Sequence, residues 1–249
     1  MPDITDPFAH HPELRDRIKD AETSYFRTFS IATMLAQHPH LEVFLPWTHS
    51  DEAREAIRAE ALAGHDGDLW VFAYGSLMWD PALRFAEVRR AYAPEHERRF
   101  ILFDDKGGRG SPEAPGLMAA LDLGDGCEGL AYRIRAADVD RETEILFRRE
   151  VIAPGYIPTF IPLRMGEQDA LALTFLADHD DPDIRGDITR DEQIRYIATG
   201  AGVLGTSRDY LANIVDHFAH LGITDAHCED LWRAVEDYPA ARPNKETAR

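Results

Sequence analysis

Glu150 is the residue whose position most invites chemistry. Leu146 precedes it by four residues and Phe147 by three, so on a helix over 137–151 it continues the apolar stripe begun by Val139. Such a carboxyl faces the interior, at the end of a helix that Pro154-Gly155 breaks. Burial raises a carboxylate above its ordinary pKa of ~4.3 and suits it to moving protons near neutrality. A buried ion pair with an arginine, or a last turn facing water, accounts for the same spacing, and Glu142 lies near the same stripe. The second segment is Tyr74-Gly75-Ser76-Leu77-Met78-Trp79, where a buried-looking strand ends in Gly-Ser. Glycine there admits positive φ and lets backbone N–H groups approach a ligand carboxylate. On pattern alone, an ordinary strand-to-loop turn is the simpler reading.

Other motifs read as structure. Gly124-Asp125-Gly126-Cys127-Glu128-Gly129 spells GxGxxG, but a dinucleotide site needs a helix behind it, and Leu130-Ala131-Tyr132-Arg133-Ile134 reads as another strand. A hairpin turn is expected. The acidic run Asp178-His179-Asp180-Asp181-Pro182-Asp183 lacks the glycine and the distal glutamate of a calcium loop and reads as solvated. His217 and His220 have no HExxH pattern or nearby cysteine, so a zinc role is not expected.

These groups need elements to hold them. The first 65 residues read as helical, with Leu14, Ile18, Ala21, Tyr25, Phe29, Ala32 and Leu35 spaced along one face. A Pro-rich bend follows at Pro39 and Pro46. Ser50 then caps a helix that ends at Gly64. Strands are predicted at 69–74, 84–92, 98–103, 116–123 and 129–134, then the helix carrying Glu150, then strands at 157–165 and 171–176. The tail is helical again, with a capping box at Thr189-Arg190-Asp191-Glu192, Ser207 capping a helix to Leu221 and Thr224 capping one to Tyr238. From Pro243 a frayed polar end is expected. Alternating βαβ units are missing, which argues for an α+β fold and against a doubly wound sheet. The division expected is a helical extension over 1–65 and one domain over 66–240.

The chain has 249 residues, with 45 Asp plus Glu against 27 Lys plus Arg and a formal net charge of −18. That excess excludes a general nucleic-acid binder or a partner for an anionic membrane, since both need clustered cations. Two cysteines 101 residues apart, Cys127 and Cys228, make neither a disulfide framework nor a zinc site. With no basic start or apolar leader at Met1-Pro2-Asp3-Ile4-Thr5-Asp6, a cytoplasmic protein without a signal peptide is expected.

Several separated segments, in register over about 69–235, resemble the ChaC family of γ-glutamylcyclotransferases. They are Val71-Phe72-Ala73-Tyr74-Gly75-Ser76-Leu77-Met78-Trp79, Arg109-Gly110-Ser111-Pro112-Glu113 with Pro115-Gly116-Leu117, Gly129-Leu130-Ala131-Tyr132-Arg133, Phe147-Arg148-Arg149-Glu150, Gly155-Tyr156 and Gly205-Thr206-Ser207-Arg208-Asp209-Tyr210-Leu211. The family often has Thr at Ser111, Trp at Phe147 and Met at Val151. None of these departures touches the carboxylate.

The resemblance implies a mixed β-barrel or sheet with surrounding helices, and cleavage of glutathione to 5-oxoproline and Cys-Gly without metal or cofactor. It also implies Glu150 as the acid/base and the loop of Tyr74, Gly75, Ser76 and Leu77 as the holder of the γ-glutamyl part. Arg109 is a candidate for a substrate carboxylate and Tyr156 for pocket lining. Because glutathione is an anion, Arg109, Arg148 or Arg149, or backbone N–H groups, are expected to make a positive pocket inside an acidic shell. Two other readings stand beside this one: a cyclotransferase for other γ-glutamyl amides or amines, and a non-catalytic regulator of ion transport.

Overall fold

The computed structural model describes residues 6–239; the readings made of the start at 1–5 and of the polar tail from Pro243 fall outside the described residues. Strand β1 (Leu69–Ala73) is followed by β2 (Glu87–Ala93), β3 (His96–Asp104), β4 (Gly116–Leu123), β5 (Cys127–Ile134), β6 (Tyr156–Met165) and β7 (Gln168–Ala177). They hydrogen-bond in the order 1-5-2-6-7-4-3, and β1 also pairs in parallel with β7. That extra pairing closes strands 1, 5, 2, 6 and 7 into a barrel, with β4 and β3 extending from it as a flap. The fold is α+β, as the segment pattern predicts.

β1 shows how period-2 alternation builds the ring. Leu69, Val71 and Ala73 enter the main core shared with the helices, while Trp70 and Phe72 enter a second cluster. That second cluster draws on all five ring strands, with the small residues Ala91, Ala93, Ala131 and Ala172 beside Trp70 and Phe72. Small partners for large ones are what a narrow five-stranded lumen requires.

The edge of β7 is divided. Trp70 and Val71 of β1 pair with Ala172 and Leu173, whereas farther along Leu176 pairs with Leu121 of β4. The chain leaving β1 therefore turns out of the sheet where β4 takes over that edge. The GxGxxG run is the turn between β4 and β5, with Gly126 at φ +126°, but the hairpin expected there does not form: β4 pairs with β3 and β7, and β5 with β1 and β2.

Among the described residues two α-helices precede the barrel, α1 (Ile31–Gln37) and α2 (Asp51–Ala61), the latter capped by Ser50 as expected. The continuous amphipathic helix predicted from Leu14 to Leu35 does not form. Separate 3₁₀ turns at Pro12–Leu14, Ala21–Thr23 and Tyr25–Arg27 stand in its place. The side chains of Asp20, Ser24 and Ser30 each accept a backbone N–H two or three residues on, restarting the chain three times. Leu14, Ile18 and Phe29 are still buried, the first two in the main core and Phe29 against Tyr25 and Phe26, so the spacing reports burial and not one rod.

The helix carrying Glu150 is α3 (Val139–Glu150). Its Phe147 meets Phe175 of β7 edge-on, with ring centroids 5.5 Å apart. Helices α4 (Arg190–Thr199), α5 (Ser207–Leu221) and α6 (Ala226–Glu236) complete the outer layer. Thr189 makes the expected capping box. The other two caps are corrected: Thr206 caps α5 and Asp225 caps α6. Ser207 is taken by other bonds, accepting from Leu117 N and donating to Arg109 O. Cys127 and Cys228 are both free and buried. Among the described residues no helix is long and apolar enough to cross a membrane.

Candidate active site

The loop after β1 is held from beneath. Buried Arg98 donates to Tyr74 O and Glu128 O, each at 2.6 Å, and pairs with Asp225 at 2.7 Å. Gly75 has φ −133°, so the positive φ expected there is not found. Space is what requires glycine: a Cβ at this position would lie 2.4 Å from the Tyr210 hydroxyl. A 3₁₀ turn, Ser76–Met78, follows, and its first backbone bond runs from Met78 N to Gly75 O at 2.9 Å. The N–H groups of Ser76 and Leu77 precede that bond and have no acceptor inside the turn. Tyr132 donates to Leu77 O at 3.0 Å and fixes the turn's far side.

Glu150 closes the space above this loop. Its side chain is 15% exposed, and Arg149 Nε meets Oε1 at 2.9 Å. Burial raises the Glu150 carboxyl above its ordinary range, and the Arg149 charge and hydrogen bond oppose that rise. The same guanidinium donates through Nη2 to Ser76 Oγ at 2.8 Å and through Nη1 to Asp80 O. Its face covers the Phe26 ring at 4.1 Å. One side chain thus fixes the carboxyl relative to the loop. Glu142 has the other fate foreseen for a carboxylate on this stripe: it is a buried partner of Arg27, bonded at 2.5 and 2.9 Å, and also accepts from Arg84 N.

Arg109 sits on a loop organised by Asp104. That buried carboxylate accepts from the N–H groups of Lys106, Arg109 and Gly110. Gly116 permits the loop to lie on β4, since a Cβ there would be 2.4 Å from both Arg109 O and Ser207 Oγ. The Arg109 guanidinium donates to Thr206 O at 3.3 Å and lies 5.1 Å from the Tyr210 ring centre. Among the described residues, no carboxylate is within salt-bridge distance of it. Burial pulls its pKa down, but a guanidinium stays charged at neutral pH.

Three tyrosines complete the wall. Tyr74 donates to Phe175 O at 3.0 Å and lies within hydrogen-bond reach of the Tyr156 hydroxyl. Tyr156 reaches Ala119 O at 3.4 Å. Burial lifts all three phenols, that of Tyr210 to about 12, so each is a neutral donor at physiological pH.

Tyr74, Gly75, Ser76, Leu77, Arg109, Glu150 and Tyr156 all line one cavity of about 610 Å³. Its charged lining comprises Lys106, Arg109 and Arg149 against Asp80, Asp104, Asp183 and Glu150. Lys106 is taken by Asp105 and Asp183, at 3.0 and 2.7 Å. Arg148 is not in the lining; it holds Glu144 and Arg27 O on the outer face of α3. The cation facing the cavity without a carboxylate is therefore Arg109.

Tyr210 and Asp104 belong to the site without having been expected there; Tyr210 lies within the segment 205–211 that carries the family resemblance. An aspartate closing a strand before Lys106-Gly107-Gly108-Arg109-Gly110 is a legible Asx-turn signal. The segment before the barrel, which lies outside the motifs of the family resemblance, also reaches the site: Phe26, Phe29, Leu41 and Phe44 form a wall of the cavity. The other candidates have structural partners. His217 bonds to Asn213 O and Arg17 O, and the Asp178–Asp183 stretch folds into turns with Asp183 on Lys106.

A buried carboxyl, a loop with open N–H groups and an arginine lacking a carboxylate, around one cavity, equip this site to move a proton on a small anion. Comparison with known proteins is specific. The chain belongs to the ChaC family: the family's signature, described as ChaC-like protein, matches residues 69–238. A glutathione-specific γ-glutamylcyclotransferase of Escherichia coli is 32% identical over 197 residues, covering 79% of this chain and 85% of the relative. Glutathione-specific γ-glutamylcyclotransferase 1 of Mus musculus is 31% identical over 180 residues, covering 68% of this chain and 80% of the relative. Among solved structures, a γ-glutamyl cyclotransferase specific to glutathione from yeast superposes with a TM-score of 0.64 at 22% identity. It covers 70% of this chain and 97% of that one, which supports the fold.

Proposed function

We propose that this protein cleaves glutathione into 5-oxoproline and Cys-Gly, with Glu150 as general base and then general acid. The observation that carries this reading is the Glu150 carboxyl, buried and raised in pKa, locked by Arg149 to the Ser76 loop inside the cavity. The names of the relatives supply the substrate.

The nucleophile is the substrate's own α-amine. It attacks the γ-carbonyl carbon, a five-membered ring closes, and the bond to the cysteinyl nitrogen breaks. The amine loses a proton to Glu150, which returns it to the leaving nitrogen, so no water is consumed. Holding the γ-glutamyl chain folded supplies much of the rate, since well-oriented intramolecular reactions reach effective molarities of ~10⁵–10⁸ M. The N–H groups of Ser76 and Leu77 are donors for a carboxylate or for the developing oxyanion. Arg109 is the cation for a substrate carboxylate, and Tyr74, Tyr156 and Tyr210 shape the floor.

Incubation of purified protein with glutathione should release 5-oxoproline and Cys-Gly in equal amounts, and Glu150→Gln should lose at least ~10²-fold in kcat while remaining folded. Near-normal turnover in that variant would remove Glu150 from the chemistry. Comparison of glutathione with γ-glutamyl-alanine and γ-glutamyl-lysine reads how far the site depends on the leaving group.

A further inference from the structure

The cavity lining has two chemically different parts, which meet where Arg149 covers the Phe26 ring at 4.1 Å. One part carries Glu150, Arg109 and the Ser76 loop. The other is built by the segment before the barrel, where Phe26, Phe29, Leu41, Phe44 and Leu45 form an apolar wall with Gln37, His38 and Thr48 among them. This segment lies outside the residues that the family signature matches.

The wall is fastened in place. Buried Leu41 packs on Gly107, where an added Cβ would lie 2.4 Å from its Cδ2. Arg27 is bonded to Glu142, Ser24 to Asp80, and His49 N to Ile152 O at 2.8 Å. Yet Leu45 and Trp47 remain 37% and 51% exposed at the rim. The leaving half of glutathione, a thiol and a carboxylate, leaves the apolar side chains of this wall without a partner, and the nearby cation Lys106 is already held by two aspartates. Apolar surface beside a reacting site is complementary to an apolar group on the substrate.

From this juxtaposition we infer that the enzyme takes glutathione S-conjugates, with an alkyl or aryl substituent on sulfur lying against the wall built by residues 26–45. The inference rests on the cyclotransferase reading and adds the substrate class. The chemistry is unchanged and balanced: the α-amine bonds to the γ-carbon, the bond to the cysteinyl nitrogen breaks, and one proton passes from amine to leaving nitrogen. The products are 5-oxoproline and the S-substituted Cys-Gly. No co-reactant enters.

The test uses the full chain with glutathione, S-hexylglutathione and S-carboxymethylglutathione. Each buried methylene contributes roughly fourfold in affinity, so the hexyl conjugate should show a KM at least ~10-fold below that of glutathione, and the carboxymethyl conjugate none of that gain. Leu45→Ser should cut the ratio of kcat/KM for the hexyl conjugate over glutathione at least ~fivefold, by removing apolar surface at the wall. Binding is read separately on Glu150→Gln by tryptophan fluorescence, with Trp47 at the rim. If S-hexylglutathione binds there no tighter than glutathione, the inference is overturned whatever the turnover. If glutathione itself yields no 5-oxoproline in the parent enzyme, the activity beneath it fails, and the two results are told apart by that control.

Discussion

Glu150 is asked to be buried and also to be ionised when the amine arrives. Burial lifts its pKa and Arg149 pulls it back, so the carboxyl titrates above the ordinary ~4.3. As the base, it works ionised; kcat/KM should therefore rise with pH along an acid limb placed above the usual carboxylate range. Arg149→Met removes the opposing charge and should move that limb to higher pH, whereas a merely structural arginine would leave the limb where it was. The sign for stability is opposite. The folded state holds this proton more tightly than the unfolded chain does, so stability falls as pH rises from ~4.3 through the raised folded pKa. Glu150→Gln should melt no lower than the parent at pH 7, with any advantage shrinking toward pH 4.

Gly75 gives a second test at this scale. Gly75→Ala should lower Tm and activity by driving a methyl into the Tyr210 hydroxyl. Adding Tyr210→Phe should restore Tm, because the next nearest atom, Tyr210 Cζ, lies 3.6 Å away. The stripe of α3 made Glu150 legible from spacing alone. The tie from Arg149 to Ser76 spans 73 residues and has no local signature.

Among elements, the segment before the barrel is the one whose sequence pattern misled. Its apolar spacing matches a helix because Leu14 and Ile18 enter the main core and Ala21 and Phe29 are also buried, while Asp20, Ser24 and Ser30 interrupt the backbone. A periodicity can be imposed by the surface a chain crosses. The strands were read nearly in place, since alternation and Gly-rich turns are local signals. The parallel closure of β1 on β7, and the division of β7's edge, were not legible, because they depend on pairs 102 and 55 residues apart. The buried Arg27–Glu142 pair joins the segment to α3. Among the described residues, Glu142→Ala leaves buried Arg27 with only the exposed Glu22, 3.7 Å away, as a salt-bridge partner and should cost about 3 kcal/mol, measured by denaturant unfolding. Arg27→Met with Glu142→Leu should recover much of that loss.

For the molecule as a whole, the charge of −18 opposes the approach of an anion, and no large cationic patch lines the cavity to offset it. Capture then falls to Arg109 and the loop N–H groups at short range. Raising ionic strength from 10 to 150 mM shortens the Debye length from ~30 to ~8 Å and should leave the KM for glutathione unchanged or lower it. A steep rise would mean that exposed cations capture the substrate. Arg109→Ala should raise KM with Tm unchanged, and an unaltered KM would return Arg109 to a structural part.

The two buried cysteines have a consequence for a protein that handles a thiol. Burial raises both sulfhydryls, Cys228 to about 12, so neither offers a thiolate at neutral pH. Exchange with an oxidised substrate needs that thiolate as attacker. Glutathione disulfide therefore has nothing on the native protein to capture, and the enzyme is expected to keep working, without glutathionylation, in a pool that has become oxidising. Ellman's reagent should titrate no fast-reacting thiol in the native state and both after unfolding.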